Sequence, residues 1–258
     1  MSSIPTVGSL FGLDGRVALV TGAGGGLGRA MAFGLAGAGA HVCVNDIDAE
    51  ACRTSAELIG AGKATALPFS VDDAAARDAA IDRIDREQGR LDILVNCVGI
   101  RHRVPIEDME ADDFNRVFAN HVTAGLMFAK RAAPIMRRQR YGRIILITSI
   151  AATQARAGDI AYHAAKGAIS SMARALACEF GADGITCNAI APGLFATEAN
   201  RELLQRPEVL QHISSRVPLK RFAEPPELAG AAVFLASPAA SYISGHVLTV
   251  DGGMTIHV

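Results

Sequence analysis

The stretch "VTGAGGGLGRAMA" at residues 20–32 decides the fold of this chain. It follows a short run rich in β-branched residues, "RVALVTG" at 16–22, and leads into a segment of helix-forming residues. Gly22, Gly26 and Gly28 allow the backbone to turn sharply and to approach a ligand closely. The helix after the turn points free amide groups and the positive end of its dipole at an anion bound there. The stretch therefore predicts a strand, a turn that binds a pyrophosphate, and a helix.

An acidic residue at the end of the next apolar run supports the binding of a dinucleotide at this turn. The run is "HVCVND" at 41–46, and Asp46 ends it. A carboxylate at this position accepts hydrogen bonds from both hydroxyls of an adenosine ribose and repels a 2′-phosphate. Ile47 follows Asp46, and no basic residue precedes Gly26 within the turn. We therefore expect NAD as the cofactor, in preference to NADP.

Further apolar runs alternate with helix-length segments along the rest of the chain. Additional strands are predicted at 64–71, 91–99, 142–150, 185–193 and 246–253, and helices at 27–39, 49–61, 73–88, 111–138, 161–180 and 225–236. The strand runs are mostly continuous in hydrophobicity, which indicates strands buried on both faces of a parallel sheet. The predicted fold is a Rossmann-like, doubly wound α/β sheet of seven parallel strands with helices on both faces.

The regular alternation also indicates how many domains the chain forms. No linker-like segment or second hydrophobic pattern divides residues 1–258, so we expect one domain that binds a dinucleotide. Residues 194–220 form a connection longer than usual, and we interpret this segment as a substrate loop or lid.

The composition excludes several classes of protein. The 258 residues include 25 basic and 26 acidic side chains without a basic stripe, so neither a nucleic acid nor an anionic membrane is an expected partner. No apolar stretch reaches the roughly 18 residues of a membrane span. The start of the chain lacks a secretory signal and the five cysteines are not paired in spacing, so we expect a cytoplasmic protein. His102, His121 and His163 lack the spacing of metal ligands, and no metal site is expected.

A tyrosine and a lysine stand four residues apart in "AYHAAKGA" at 161–168. On a helix, Tyr162 and Lys166 lie on one face. A free tyrosine has a pKa near 10, and a cation one helical turn away favours the phenolate and lowers that pKa. The pair therefore predicts a group that exchanges a proton near neutral pH. An isolated pair with this spacing is also common on helix surfaces, so its meaning depends on the surrounding motifs.

Those motifs together resemble the short-chain dehydrogenase/reductase family. The resemblance is carried by "TGAGGGLG" at 21–28, Asn120, Ser149, Tyr162 and Lys166, and it extends over nearly the whole chain, including "NAIAPG" at 188–193 and "VDGG" at 250–253. Its most specific element is the Tyr-x-x-x-Lys pair with a serine thirteen residues upstream. The resemblance implies a nicotinamide-dependent oxidoreductase acting on a small-molecule alcohol or ketone, and a homotetramer.

The resemblance also implies roles for four side chains. Tyr162 is the acid/base, and Ser149 polarises the substrate oxygen. Lys166 lowers the pKa of the tyrosine and binds the ribose of the nicotinamide. Asn120 holds a water molecule that links Lys166 to solvent.

A larger set of residues is implied to bind the cofactor. The set comprises Gly22, Gly24, Gly26, Leu27, Gly28, Asp46, Ser70, Val71, Asn96, Gly99, Pro192, Gly193, Leu194 and Thr197, together with Tyr162 and Lys166. The chain departs from the family pattern at two places. "NCVG" at 96–99 replaces the usual Asn-Asn-Ala-Gly, and Ser70 stands where an aspartate often faces the adenine. Val71 can still pack against the adenine there.

The substrate is the least constrained part of the prediction. Arg101 and Arg103 follow the fourth strand, at the sheet edge where ligands bind, and arginine suits a carboxylate. A solvated or intersubunit basic loop explains these arginines equally well. The stretches 103–109, 195–222 and 227–237 resemble the gluconate 5-dehydrogenase branch, which implies a sugar acid although members of that branch often use NADP. Polyol dehydrogenation, 3-oxoacyl reduction and a non-catalytic NAD-binding sensor are the alternatives.

Overall fold

The architecture is a seven-stranded parallel sheet between two layers of helices. The computed structural model describes residues 5–198, 204 and 206–256. The strands are β1 Val17–Thr21, β2 His41–Asp46, β3 Ala64–Pro68, β4 Ile93–Asn96, β5 Gly142–Ile147, β6 Ile185–Pro192 and β7 Val247–Val250. They pair in parallel in the order β3-β2-β1-β4-β5-β6-β7. The predicted doubly wound fold with seven strands is confirmed.

Helices connect the strands at nearly all the predicted places. They are α1 Val7–Phe11, α2 Gly26–Gly37, α3 Ala49–Ile59, α4 Ala74–Gln88, α5 Ala111–Phe118, α6 Ala124–Gln139, α7 Ile160–Phe180, α8 Pro207–Arg216 and α9 Pro226–Ala236. The short helix α1 was not predicted, because its five residues are too few to show a helical period. Thr6 caps it by accepting a hydrogen bond from the amide of Ser9 at 3.2 Å.

Successive residues of each central strand pack into opposite helix layers. In β1, Leu19 belongs to the hydrophobic cluster under α4, α6 and α7, whereas Ala18 and Val20 belong to the cluster under α2 and α9. Phe128 of α6 and Met31 of α2 are fully buried in these two layers. Burying a side chain of this size stabilises the fold by about 1.5–3 kcal/mol, so the two clusters hold the helices on the sheet.

The two outermost strands differ from the expectation that every strand is buried on both faces. Every residue of β1, β4, β5 and β6 is buried, whereas β3 and β7 are partly exposed. The reason is their place at the two edges of the sheet, where each has a neighbouring strand on one side only.

The predicted helix 111–138 is not continuous. A π-helical turn, Ala119–Thr123, separates α5 from α6 and buries Asn120 and His121. The single helix predicted for this segment is therefore wrong at this point. A π turn inserts a residue into the helix, and such insertions are frequent at functional sites. Its position is not visible in a 3.6-residue hydrophobic period.

The predicted lid 194–220 contains a helix. Pro207 begins α8 at a position where its missing N–H costs nothing, and Ile213 and Val217 pack against Met254. Phe195 forms a bridge with Ala223, which holds the start of the segment to its end. Residues 199–203 and 205 of the lid lie outside the described residues.

The sheet order places a crevice above β1 and β4. From β1 the chain proceeds to β2 and β3 on one side and continues from β4 to β7 on the other. Connections therefore leave in opposite directions at the carboxyl ends of β1 and β4, and ligands of open α/β sheets bind at such a switch point. The candidate site lies at this edge.

Candidate active site

The glycine-rich turn between β1 and α2 is a cradle that larger residues would obstruct. A β-carbon at Gly28 would lie 2.0 Å from the carbonyl oxygen of Gly22, and one at Gly24 would lie 2.7 Å from the carboxyl group of Asp46. Gly25 precedes α2, and no side chain caps the helix there. The first amides of α2 are therefore oriented for an anion, and the turn fits the pyrophosphate that the sequence implies.

Asp46 is held at the end of β2 by backbone amides. Its Oδ2 accepts a hydrogen bond from the amide of Gly24 at 2.9 Å, and its Oδ1 accepts one from the amide of Asp48 at 3.0 Å. Asp46 remains half-buried. Its carboxylate thus joins the glycine turn to β2 and stays accessible at the carboxyl edge of the sheet.

A cavity of about 330 Å³ opens next to this turn and gathers many of the predicted site residues. It is lined by Gly22, Leu27, Gly28, Gly99, Arg101, Ser149, Tyr162, Lys166, Pro192 and Gly193, and also by Gly25, Cys97, His121, Ile147 and Thr148. Burial raises the pKa of Cys97 to about 11, so this residue presents a neutral thiol. Strand ends that are distant in sequence thus converge on one space.

Some predicted residues lie outside that lining. Thr197 approaches the turn, because a β-carbon at Gly26 would lie 3.8 Å from its methyl group. Asn96 is buried, and its Oδ1 accepts a hydrogen bond from Thr21 at 2.9 Å, which ties β4 to β1.

Three further predicted residues belong to loops or to the core. Val71 is buried in the hydrophobic cluster under α4, and the carbonyl of Ser70 accepts a hydrogen bond from Asp73. Leu194 packs with Ile213 of α8, and its carbonyl accepts a hydrogen bond from Ala223. These contacts describe the packing of the three residues and leave their cofactor contacts a prediction.

A second cavity, of about 700 Å³, lies at the opposite edge of the sheet. Val17 and His41, the first residues of β1 and β2, line it together with Asp14 and Lys63. This edge carries the amino ends of the strands, away from the switch point. We therefore place the candidate site in the smaller cavity.

Tyr162 and Lys166 lie together on α7, as predicted. The Nζ atom of Lys166 is 5.4 Å from the centre of the Tyr162 ring and donates a hydrogen bond to the carbonyl of Ile147 at 2.8 Å. Lys166 is only 4% exposed, and burial lowers its pKa while the nearby phenol opposes that shift. The charge of Lys166 therefore acts on the phenol with little screening by solvent.

The pKa of Tyr162 lies below its ordinary value. Burial alone would raise this pKa, but the positive charges of Lys166 and Arg101 and hydrogen bonds with Arg101 and Ser149 outweigh burial. A larger fraction of Tyr162 is therefore ionised near neutral pH than of a free tyrosine. The arrangement can accept or donate a proton at the Tyr162 hydroxyl.

Ser149 follows β5 and lines the cavity. It is buried, and its Oγ accepts a hydrogen bond from the amide of Ala151 at 3.1 Å. The preceding residue, Thr148, donates a hydrogen bond to the carbonyl of Lys166 at 2.7 Å. This bond fastens α7 to β5 and therefore holds the hydroxyl of Ser149 and the phenol of Tyr162 in register.

Arg101 and His121 approach the ring of Tyr162. The Arg101 guanidinium carbon is 4.0 Å from the ring centre, and the imidazole of His121 meets the ring edge-on with centres 5.6 Å apart. His121 is fully buried, and burial together with the charge of Lys166 lowers its pKa to about 4. His121 is therefore neutral near pH 7, and its Nε2 lies 2.7 Å from the carbonyl of Ile100.

His121 was not among the site residues predicted from the sequence. The only available signal was its place beside Asn120 in "FANHVTAG", because the π turn that buries it does not show in the hydrophobic pattern.

Asn120 is buried in the same π turn. Its Oδ1 has no hydrogen-bond partner among the described residues. A buried acceptor of this kind is commonly satisfied by an ordered water. The side chain is therefore suited to hold a water, and the relay role that the family resemblance implies for it stays a prediction.

His163 contacts two backbone groups. His163 is 2.8 Å from the carbonyl of Ala151 through Nδ1, and its Nε2 accepts a hydrogen bond from the amide of Arg156. Within residues 5–198, 204 and 206–256, no three His, Cys, Asp or Glu side chains form a group able to hold a metal. In the same residues, no helix has both the length and the apolarity that crossing a bilayer requires.

Comparison with known proteins gives matches over nearly the whole chain. A family model described as enoyl-(acyl carrier protein) reductase matches residues 22–255. The gluconate 5-dehydrogenase of Gluconobacter oxydans is 38% identical, with 96% of this chain and 97% of the relative aligned. The D-threitol dehydrogenase of Mycolicibacterium smegmatis is 37% identical, with 95% of each aligned.

A solved structure extends the likeness to three dimensions. It is a gluconate 5-dehydrogenase from Burkholderia cenocepacia in complex with NADP and tartrate. The two chains are 36% identical and superpose with a TM-score of 0.92, over 98% of this chain and 100% of the other. Together with the sheet order and the site at the switch point, these matches lead to one conclusion. The chain belongs to the short-chain dehydrogenase/reductase family and is an oxidoreductase that acts on CH–OH groups.

Proposed function

We propose that this oxidoreductase transfers a hydride between NAD(H) and a secondary alcohol or ketone that also carries a carboxylate, as gluconate and 5-ketogluconate do. One observation carries the proposal. The guanidinium of Arg101 lies against the ring of Tyr162 in the cavity that Ser149 also lines. A cation suited to a carboxylate is thus within a few ångströms of the proposed acid/base.

The proposed mechanism uses the side chains gathered in that cavity. When bound, the nicotinamide dinucleotide supplies the hydride acceptor or donor. Ser149 donates a hydrogen bond to the substrate oxygen and holds it within reach of Tyr162. Tyr162 removes the hydroxyl proton during oxidation and returns it during reduction. Lys166 keeps the phenolate accessible by its unscreened charge.

A proton must also reach solvent after oxidation. Lys166 is buried and donates to Ile147, so it exchanges protons with solvent only through an intermediary. We propose that Asn120, whose buried Oδ1 lacks a partner among the described residues, holds the water that serves this purpose.

The preference for NAD rests on Asp46. Two backbone amides anchor its carboxylate at the end of β2, where a 2′-phosphate would meet a negative charge. The relative from Burkholderia cenocepacia was solved with NADP, so the anchored carboxylate is the feature of this chain that argues for NAD.

The names of the relatives support the choice of substrate class. A gluconate 5-dehydrogenase and a D-threitol dehydrogenase are similar to this chain at nearly equal identity. Threitol has no carboxylate, so the arginines are the feature that favours the acid. We also propose that residues 194–220 act as a substrate loop and that the protein assembles as a homotetramer.

A substrate screen tests the proposed function. Sugar acids, polyols and β-ketoesters are offered with NAD(H) and with NADP(H), and the absorbance of the reduced nicotinamide is followed. We expect the highest kcat/KM for a sugar acid with NAD(H). A preference for acyl β-ketoesters with NADPH would instead assign a 3-oxoacyl reductase, and the absence of turnover with every substrate would support the sensor.

Replacing the arginines tests the recognition of the carboxylate. We expect Arg101→Ala to raise the KM for sugar acids about 10- to 100-fold, since it removes a charge-assisted hydrogen bond, and to leave the KM for neutral polyols unchanged. Arg103→Ala should raise the KM for sugar acids less, because Arg103 is not part of the cavity lining and its Nε is paired with Asp159. Arg116→Ala is the control, because Arg116 is an exposed arginine of α5 paired with Asp113. Equal increases in KM for acids and polyols would contradict the assignment.

A further inference from the structure

A buried carboxylate at the start of α7 collects three arginines. Asp159 is 1% exposed, and its Oδ2 lies 3.2 Å from Arg103 Nε, 3.5 Å from an Arg156 terminal nitrogen and 3.9 Å from Arg101 Nε. Its Oδ1 is buried without a hydrogen-bond partner among the described residues. The three arginine side chains are about half exposed, so they extend from the surface toward one buried carboxylate that they share.

The ordinary structural role of an aspartate in this position is not fulfilled. Asp159 is the residue that precedes α7, where an aspartate usually caps the helix through its side chain. Here no side-chain cap bond forms, and the carboxylate turns to the arginines. The position therefore holds a negative charge for a purpose other than capping.

The ion pairs join two loops, one of which supplies Arg101 to the cavity lining. Arg101 and Arg103 come from the loop after β4, and Arg156 comes from the loop between β5 and α7. Asp159 precedes Tyr162 by three residues and therefore lies one helical turn away. Arg101, which approaches Asp159 through Nε, is the member whose guanidinium rests on the Tyr162 ring.

We propose that Asp159 is a positioning residue that holds the Arg101 guanidinium against the ring of Tyr162. This inference rests on the proposed role of Tyr162 as the acid/base and adds a group that acts on it through Arg101. The other titratable groups near the ring are Lys166 and His163 on α7 and His121 from the π turn. None of these three has an ion pair with Asp159 in the described residues.

The direction in which the pKa of Tyr162 shifts when Asp159 is neutralised distinguishes the possible roles of Asp159. If Asp159 holds Arg101 in place, its neutralisation releases a cation from the phenol, and the pKa of Tyr162 rises. If Asp159 acts only by its own charge, neutralisation removes an anion and the pKa falls. If it is merely structural, the pKa does not change while the protein melts at a lower temperature.

The composition of the chain makes that pKa directly measurable. There are three tyrosines and no tryptophan, so the ultraviolet absorbance of tyrosinate is free of indole. Titrating the full-length protein and subtracting the titration of Tyr162→Phe isolates the phenol of Tyr162. This readout needs no substrate, so it remains informative even if the screen finds no sugar acid that turns over.

We expect Asp159→Asn to shift the Tyr162 titration to higher pH, and Arg101→Gln to shift it in the same direction. Since both act through one contact, the double variant is expected to match Arg101→Gln alone. Asp159→Ser is a second neutral variant with a residue that also begins helices well, in case asparagine does not fold. Asp159→Glu, which keeps the charge, is expected to restore most of the wild-type titration.

Asp92→Asn is the matched control. Asp92 is also fully buried and bonded by Arg16 and Arg90, but it lies at the amino end of β4. Its replacement is expected to lower the melting temperature and to leave the Tyr162 titration unchanged. A downward or absent shift in Asp159→Asn, an additive double variant, or an equal shift in Asp92→Asn would each overturn the proposal.

Discussion

At the scale of single residues, the chemistry of the site depends on competition between burial and charge at one phenol. Burial disfavours a phenolate, and the cations of Lys166 and Arg101 favour it. Charge prevails, because both cations are close to a ring that is largely shielded from water. A surface Tyr-x-x-x-Lys pair would lack that shielding, and its phenol would keep an ordinary pKa.

Removal of the phenolic hydroxyl should abolish most turnover. We expect Tyr162→Phe to lower kcat by a factor on the order of 10²–10⁴ and to leave the affinity for NADH nearly unchanged, because the ring remains and only the proton carrier is lost. Stopped-flow turnover and calorimetric binding measure the two effects. In the wild type, kcat/KM for oxidation should fall as the pH drops through the lowered pKa of Tyr162. Normal turnover by Tyr162→Phe would show that another group carries the proton.

The cofactor preference should respond to the carboxylate at the end of β2. We expect Asp46→Ala to weaken the binding of NAD by roughly ten-fold or more, since a lost charge-assisted hydrogen bond costs about 1.5–3 kcal/mol. The binding of NADP should weaken less, because the substitution also removes the repulsion of the 2′-phosphate. Titration calorimetry with both dinucleotides gives the ratio. Asp48→Ala is the control, because Asp48 caps α3 close by. An equal loss for both dinucleotides would remove the argument for NAD.

At the scale of elements, two irregular turns shape the site on an otherwise regular frame. The glycine turn brings the start of α2 close to β1, and the π turn between α5 and α6 buries Asn120 and His121 next to α7. Regular helices and strands would leave these groups elsewhere. The chain thus departs from its regular hydrophobic period at the two turns that bring residues to the cavity.

The close contact in the glycine turn should be sensitive to one methyl group. Gly28→Ala forces a β-carbon to within 2.0 Å of the Gly22 carbonyl, and we expect a loss of about 1–3 kcal/mol or more in the free energy of unfolding. Gly25→Ala is a matched control in the same turn, because its backbone is extended and no atom beyond its own chain neighbours lies within 4 Å of the added carbon. Chemical denaturation of the two variants without cofactor measures the difference. Equal stabilities would show that the turn relaxes freely.

At the scale of the whole molecule, the sheet brings the ends of separate strands to one edge. β1, β4, β5 and β6 each end near the cavity, and the helix layers bury the groups that approach it from behind. Burial also lowers the pKa of His121, so this side chain is neutral in the folded state near pH 7. The stability of the fold is therefore linked to pH through this side chain.

The pH dependence of stability follows from that linkage. The pKa of His121 is about 4 in the folded protein and near 6.5 when unfolded, so the unfolded state binds its proton first as the pH falls. The free energy of unfolding is not reduced by His121 above pH 6.5. It should decrease as the pH falls toward 4, by up to about 3 kcal/mol. Urea denaturation between pH 7 and 5, where carboxylates remain largely ionised, measures the slope. His121→Gln should flatten it, and an unchanged slope would contradict the linkage.

Much of the fold was predictable because it depends on local patterns. Seven strands could be predicted directly from the sequence, and the central ones most clearly, since burial on both faces demands continuous apolar residues. The π turn was not predictable in the same way. An inserted residue changes the phase of a helix without changing its composition, so residues 111–138 still read as one helix.

The sequence by itself determined the sheet, the glycine-rich turn with Asp46 beside it, and the pairing of Tyr162 with Lys166, because each depends on residues close together in the chain. Only the tertiary structure decided that Arg101 and His121 flank the phenol. It also decided that Asp159 meets Arg103 across 56 residues of sequence. Such contacts depend on how loops from different strands cross above the sheet edge, and no local period encodes that crossing.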